Sequence, residues 1–198
     1  MMYSSELVWI VLLMGMVGAR AAFADDASRA TRGSDTGQQA EQILRTETTV
    51  SASLSEMWHA WTTTEGVTSF GPPEAKIELR VGGMYEWYFI PDAPEGSRGA
   101  EGCRVLSYLP MKMLSFTWNA PPSIPKLREA RVKTHVVVEF TELDENRVKV
   151  VVSQLGFGQG EDWDKYYAYF DKAWPSVLHY LKKYFEPHPA DAPQPDKS

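Results

Sequence analysis

The residue pattern predicts an α+β fold: a curved antiparallel β-sheet gripping a long C-terminal α-helix, with short helices after the first strand. Three observations carry this. Several short segments between residues 75 and 155 alternate polar and apolar side chains and are separated by turn-forming residues, as antiparallel strands in series are. Residues 162–185 instead repeat large apolar side chains at helical spacing, with Trp163, Tyr167, Phe170, Trp174, Val177, Leu178, Leu181 and Phe185 on one face. In the run Arg80-Val-Gly-Gly-Met-Tyr-Glu-Trp-Tyr-Phe89, two glycines open a strand that puts Tyr85, Trp87 and Phe89 on one face and Met84, Glu86 and Tyr88 on the other. That wall of rings is either ordinary core or the lining of a cavity for an apolar ligand.

Each element has its own signal. Residues 43–50 are β-branched and Thr-rich, a first strand. Ser53 opens a short helix through the capping box Ser53-Leu-Ser-Glu56, and Leu54, Trp58 and Trp61 recur at helical spacing. Gly66 and Gly71-Pro72-Pro73 end that helix. Strands are predicted over 75–80, 84–90, 102–109, 113–119, 134–142 and 147–155, the last two joined through Asp144-Glu145-Asn146. Stretches 91–99 and 121–131, rich in proline and charge, read as connections. Inside the last helix Pro175 removes a backbone hydrogen bond, so a kink is expected near Ala173.

The folded body is expected over 41–186, preceded by a flexible linker at 25–40 and followed by a disordered tail at 187–198, both without large apolar side chains. Residues 7–19 form an apolar run of signal-peptide length, and Ala22-Phe23-Ala24 fits a small-x-small cleavage pattern. Residues 1–24 therefore read as a secretory signal, giving an exported, periplasmic or secreted protein with no stable membrane anchoring after cleavage. An uncleaved anchor is the alternative, since no Lys or Arg precedes the run. Cys103 is the single cysteine, so no intramolecular disulfide supports the fold, and it reads as a small buried apolar residue. The formal charge of -6 leaves no broad basic surface, which argues against a nucleic-acid partner.

Signals for chemistry are sparse. None of His59, His135, His179 and His188 has a second ligand at metal-binding spacing, and no metal is expected. His135 and Glu139 share a strand face and would form an acid–base pair if that face turned inward, but Val136, Val138 and Phe140 on the opposite face have the better claim to the core. No nucleophile elbow is present, and Gly156-Phe-Gly-Gln-Gly160 lacks dinucleotide-binding spacing, so no cofactor is expected and no catalytic residue is assigned. The aromatic set remains. Tyr85, Trp87, Phe89, Phe116, Trp118, Trp163, Tyr167, Phe170 and Trp174 fall on faces expected to point between sheet and helix, and they are the candidate ligand-binding residues.

Four segments in order also resemble a known family: Trp58-His-Ala-Trp-Thr-Thr-Thr-Glu-Gly66, Leu79-Arg-Val-Gly-Gly83, Val105-Leu-Ser-Tyr-Leu-Pro110 leading to Leu114-Ser-Phe-Thr-Trp118, and Trp174 with Leu178 and Leu181. They are similar to the SRPBCC (START-like, helix-grip) superfamily, in the branch of the domain shared with the activator of heat shock protein 90 ATPase, over roughly residues 43–185. The resemblance implies a hydrophobic cavity between sheet and helix. Two departures are visible: Ser69-Phe70 replaces the family's usual paired aromatics, and Ala173 replaces the frequent glycine before the closing Trp. Both positions lie near the family's cavity entrance, so ligand size or access is expected to differ. The functional expectation is an exported, non-catalytic protein binding a small hydrophobic or aromatic ligand. The alternatives are a cyclase- or hydrolase-like enzyme using Glu86, His135 or Glu139, and a co-chaperone-like interaction module.

Overall fold

The computed structural model describes residues 41–186; the expected signal, linker and tail lie outside the described residues. Strand β1 (Leu44–Val50) leads through Ser53 into helix α1 (Leu54–Thr62). The Ser53 hydroxyl accepts from the Glu56 amide while the Glu56 carboxylate accepts from the Ser53 amide, so both orphan donors of the first turn are satisfied. Thr63 then caps a second helix, α2 (Thr64–Phe70), its hydroxyl accepting from the Gly66 amide. The short helices expected after the first strand are thus two, separated where Thr63 is extended.

The remaining strands are β2 (Glu74–Ile77), β3 (Tyr85–Tyr88), β4 (Val105–Leu109), β5 (Met113–Asn119), β6 (Lys133–Asp144) and β7 (Arg147–Leu155). A five-stranded sheet runs β1-β7-β6-β5-β4, with every pairing antiparallel. The β2–β3 hairpin prolongs it, because Tyr85 donates its amide to the Cys103 carbonyl at 3.0 Å and Val105 donates to Gly83 at 3.0 Å. The two glycines before β3 have separate reasons. Gly82 sits at φ 76°, and a Cβ on Gly83 would fall 2.2 Å from the Glu78 carbonyl oxygen.

A short helix, α3 (Pro125–Glu129), lies in the stretch read as a plain connection. Proline at its first position needs no amide donor, and a five-residue helix carries too little periodicity to be seen in a Pro-rich run. The last helix, α4 (Glu161–Tyr184), lays Tyr166, Phe170, Trp174, Val177, Leu178 and Leu181 against β1, α2 and the sheet. It continues through Pro175. The bond lost there would go to the carbonyl of Asp171, an exposed residue that water can serve, and the Ser176 hydroxyl donates to the neighbouring Lys172 carbonyl at 3.1 Å.

Candidate functional site

Strand β3 is buried on both sides. Tyr85 and Trp87 face the core as the alternation predicts, whereas Glu86 and Tyr88, on the opposite face, are covered by the loop 89–104. Tyr88 bridges to Gly99, and the Arg98 guanidinium lies 5.1 Å from the Tyr88 ring centroid. The loop approaches so closely that a Cβ on Gly99 would fall 2.2 Å from the Trp87 carbonyl oxygen.

Two side chains pin this loop. The Glu101 carboxylate accepts from the amides of Gly96 (3.0 Å) and Arg98 (2.9 Å) and from Arg98 Nε (2.7 Å). Arg128 of α3 donates to the carbonyls of Gly96 (2.8 Å), Ala120 (2.8 Å) and Gly99 (2.7 Å) and contacts Glu101 at 3.3 Å. Burial opposes ionisation of Glu101, but the donors from Gly96 and Arg98 outweigh it and hold its carboxyl below the usual range. Burial lowers the Arg128 guanidinium against the pull of Glu101.

Between this loop, the end of β5 and the middle of α4 lies a cavity of about 80 Å³. Trp118 and Asn119 form its sheet side, and Phe170, Ala173, Trp174 and Val177 its helix side. Phe89, Ile90 and Ser97 to Ala100 close the loop side, with Pro121, Pro122 and Arg128 below and Tyr169 and Tyr180 at the margin. Almost all of this lining is apolar. A space of this size takes several waters or a ring-sized apolar group. Burial pushes the Tyr169 phenol up to about 12, so it stays protonated at neutral pH.

A hydrogen-bonded chain in the core holds the helix-side rings in place. Trp174 Nε1 donates to Gln154 Oε1 at 2.7 Å, and Gln154 Nε2 donates to Thr134 Oγ1 at 2.8 Å. The hydroxyls of Thr134 and Tyr166 converge on the Trp118 carbonyl at 3.1 and 3.0 Å. Burial raises the Tyr166 phenol well above its ordinary value, keeping it a donor. The chain ties Trp118 of the sheet to Trp174 of the helix, whose rings lie 5.4 Å apart.

The nine aromatics named from sequence separate into three groups. Phe89, Trp118, Phe170 and Trp174 line the cavity. Tyr85, Trp87 and Phe116 are fully buried in packed core beside it, with Tyr85 stacked on Phe116 at 4.0 Å. Trp163 and Tyr167 are half-buried on the first turns of α4, stacked on Tyr166 and edge-on to Phe157 respectively, and away from the cavity. Sequence reasoning missed Tyr169, Tyr180, Ile90 and the two arginines. The charge of Arg98 and Arg128 in a loop and a short helix was visible, but not that both fold back over one apolar space.

The polar candidates fall elsewhere. His135 and Glu139 are exposed on the outer face of β6, so they form no pair inside a cavity. Glu86 borders a wide polar groove next to the cavity, but its carboxylate accepts from the Tyr88 hydroxyl and from the Gly102 amide at 2.8 Å. Burial first, then that bond, push the Tyr88 phenol up to about 12. Cys103 is buried, and burial raises its thiol despite Lys133 Nζ at 3.5 Å, which leaves it a poor nucleophile. Among the described residues no three His, Cys, Asp or Glu side chains converge as metal ligands do.

Comparisons with known proteins agree with this architecture. The family model described as Activator of Hsp90 ATPase homolog 1-like protein matches residues 51–186. Protein MLL2253 from Mesorhizobium loti superposes with a TM-score of 0.57 at 20% identity, covering 72% of this chain and 96% of that one. The Aha1 dimer from Colwellia psychrerythraea gives 0.55 at 17% identity, covering 73% and 96%. PFC0360w, an HSP90 activator from Plasmodium falciparum, gives 0.53 at 17% identity, covering 71% and 94%. At these identities the likeness is one of fold. Among curated proteins, nothing matches the chain.

Proposed function

The chain belongs to the Activator of Hsp90 ATPase homolog 1-like protein family, and from that premise we propose that it is an exported, non-catalytic protein that binds a small hydrophobic or aromatic ligand in the cleft between sheet and α4. The observation that carries the reading is the apolar cleft itself, a concave site with few polar groups on its wall. Export is supported by the apolar run at 7–19 followed by Ala22-Phe23-Ala24. The non-catalytic reading is supported by the outward placement of His135 and Glu139 and by the fully engaged Glu86 carboxylate.

Titration with a panel of single-ring and short-chain apolar compounds tests the reading. Trp118 and Trp174 line the cleft, so uptake should quench tryptophan emission and appear as a mass increment in native mass spectrometry. A panel that leaves both readouts unchanged sinks the carrier reading.

A co-chaperone role is the second reading, favoured by the family and by Leu109 and Met111, exposed together on the β4–β5 turn. It is tested by adding the protein to an Hsp90-type ATPase; stimulation lost on Leu109→Ser would establish it. Recovery of a mature chain starting after Ala24 from an exported fraction would count against it.

A further inference from the structure

We propose that the cleft takes a small aromatic acid, with its ring against Trp118, Phe170 and Trp174 and its carboxylate held at the rim by Arg98. The inference rests on the ligand-binding reading above and adds a charge to the ligand.

In a chain of formal charge -6, both charged residues on the cleft wall are arginines, Arg98 and Arg128. Arg128 is engaged by three backbone carbonyls and Glu101. Arg98 is not. It donates Nε to Glu101, and among the described residues its two terminal nitrogens have no protein acceptor. Its side chain is one-third exposed, at the boundary between the apolar cleft and the polar groove, both of which it lines. Glu101 serves both guanidiniums and Glu95 also acts on Arg98, but the residues lining the cleft and groove together carry five cationic and four acidic side chains, which leaves one net positive charge around the rim.

Arg98 is also held in place. Glu101 fixes Nε, and the Tyr88 ring supports one face of the guanidinium at 5.1 Å. A planar fork fixed in this way and still offering its terminal N–H groups suits a carboxylate, which takes two parallel hydrogen bonds. A neutral amide accepts at one oxygen, and an ammonium is repelled. The cavity volume of about 80 Å³ limits the apolar part to about one ring.

The test uses phenylacetate, phenylacetamide and phenethylamine, titrated against the purified protein at neutral pH and low salt. The acid should bind about tenfold tighter than the amide, the advantage of a charge-assisted bidentate pair at a partly exposed site. The amine should bind weakest, and the acid's advantage should shrink as salt is raised. Arg98→Gln should weaken the acid far more than the amide, bringing the two to similar affinity, and Arg98→Lys should restore only part of the preference. Equal binding of acid and amide, or an acid preference that survives Arg98→Gln, overturns the carboxylate site and leaves the carrier reading standing on the amide. Failure of all three probes, together with the wider panel, overturns the carrier reading and this inference with it. Should Arg98→Gln fail to fold, the wild-type salt dependence decides: an acid–amide difference insensitive to salt overturns the proposal.

Discussion

Trp87 and Trp118 meet edge to face with 5.5 Å between ring centroids, yet one sits in filled core and the other on the wall of a cleft. Around Trp87 the neighbours are side chains: Trp61 and Phe70 from the short helices, each with its ring 6.0 Å away, and Tyr85 at 6.2 Å. Among the described residues the Trp61 indole N–H finds no acceptor in this packed region. Trp118 also meets the rings of Phe116 and Trp174, but the cleft it borders includes Gly99 and Ala100 of the loop and the rings of Pro121 and Pro122 on its wall. Short side chains on a stiff backbone do not reach across. Aromatic content therefore does not by itself decide whether this domain is filled or hollow; the short side chains at Gly99 and Ala100 help leave the space open.

The contrast can be broken at several points. The largest effect is expected at the filled end, where Trp87→Ala should cost about 3–5 kcal/mol, because no flexible neighbour can collapse into the space. Chemical denaturation would measure it, and a loss no greater than that of Phe170→Ala on the cleft wall would mean that the two regions are equally soft. Next is the clamp. Glu101→Gln removes the carboxylate that serves Arg98 and Arg128 and should cost about 1.5–3 kcal/mol, with ligand uptake reduced before global unfolding. Unchanged stability and uptake would show that Arg128 alone holds the loop.

Gln154→Leu probes the link between the regions. It leaves the Trp174 Nε1 donor buried without its partner, at a cost of about 1–3 kcal/mol. Red- or blue-shifted Trp174 emission with altered uptake is expected; a variant that loses stability but binds as before would show that the chain supports the fold only. The smallest effect is one of pH. The folded-state carboxyl of Glu101 is lowered, so its stabilisation is complete above the unfolded value of about 4.3 and is lost as pH falls through the lower folded value. Below about pH 4 the amide signals of Gly96 and Arg98 should change ahead of those of the Trp87 core. Simultaneous change would remove the distinction.

Sequence pattern carried the framework well. The capping box at Ser53 and strands β5 and β7 fall on the residues read from alternation, because each is a local signal. It failed where burial comes from something distant in the chain. Glu86 and Tyr88 alternate correctly to the outer face, and only the returning loop buries them. In α4 the spacing suggested Tyr167, whereas Tyr166 is the residue fully buried, because its hydroxyl finds Thr134 and the Trp118 carbonyl. No helical periodicity encodes a partner on another strand. For the same reason the aromatic set could be named, but not divided into its packed and cavity-lining members.

The Arg128 guanidinium joins carbonyls from residues 96, 99 and 120, three places that would otherwise fluctuate separately. Breaking any one of these bonds leaves a partly buried donor, so the loop and α3 should detach together or not at all. In hydrogen–deuterium exchange the amides of 96–101 and 126–130 would then share a single opening free energy, a cooperative unit smaller than the domain. Guest exchange would be timed by that opening and not by ring rotation, and would slow when the unit is held shut.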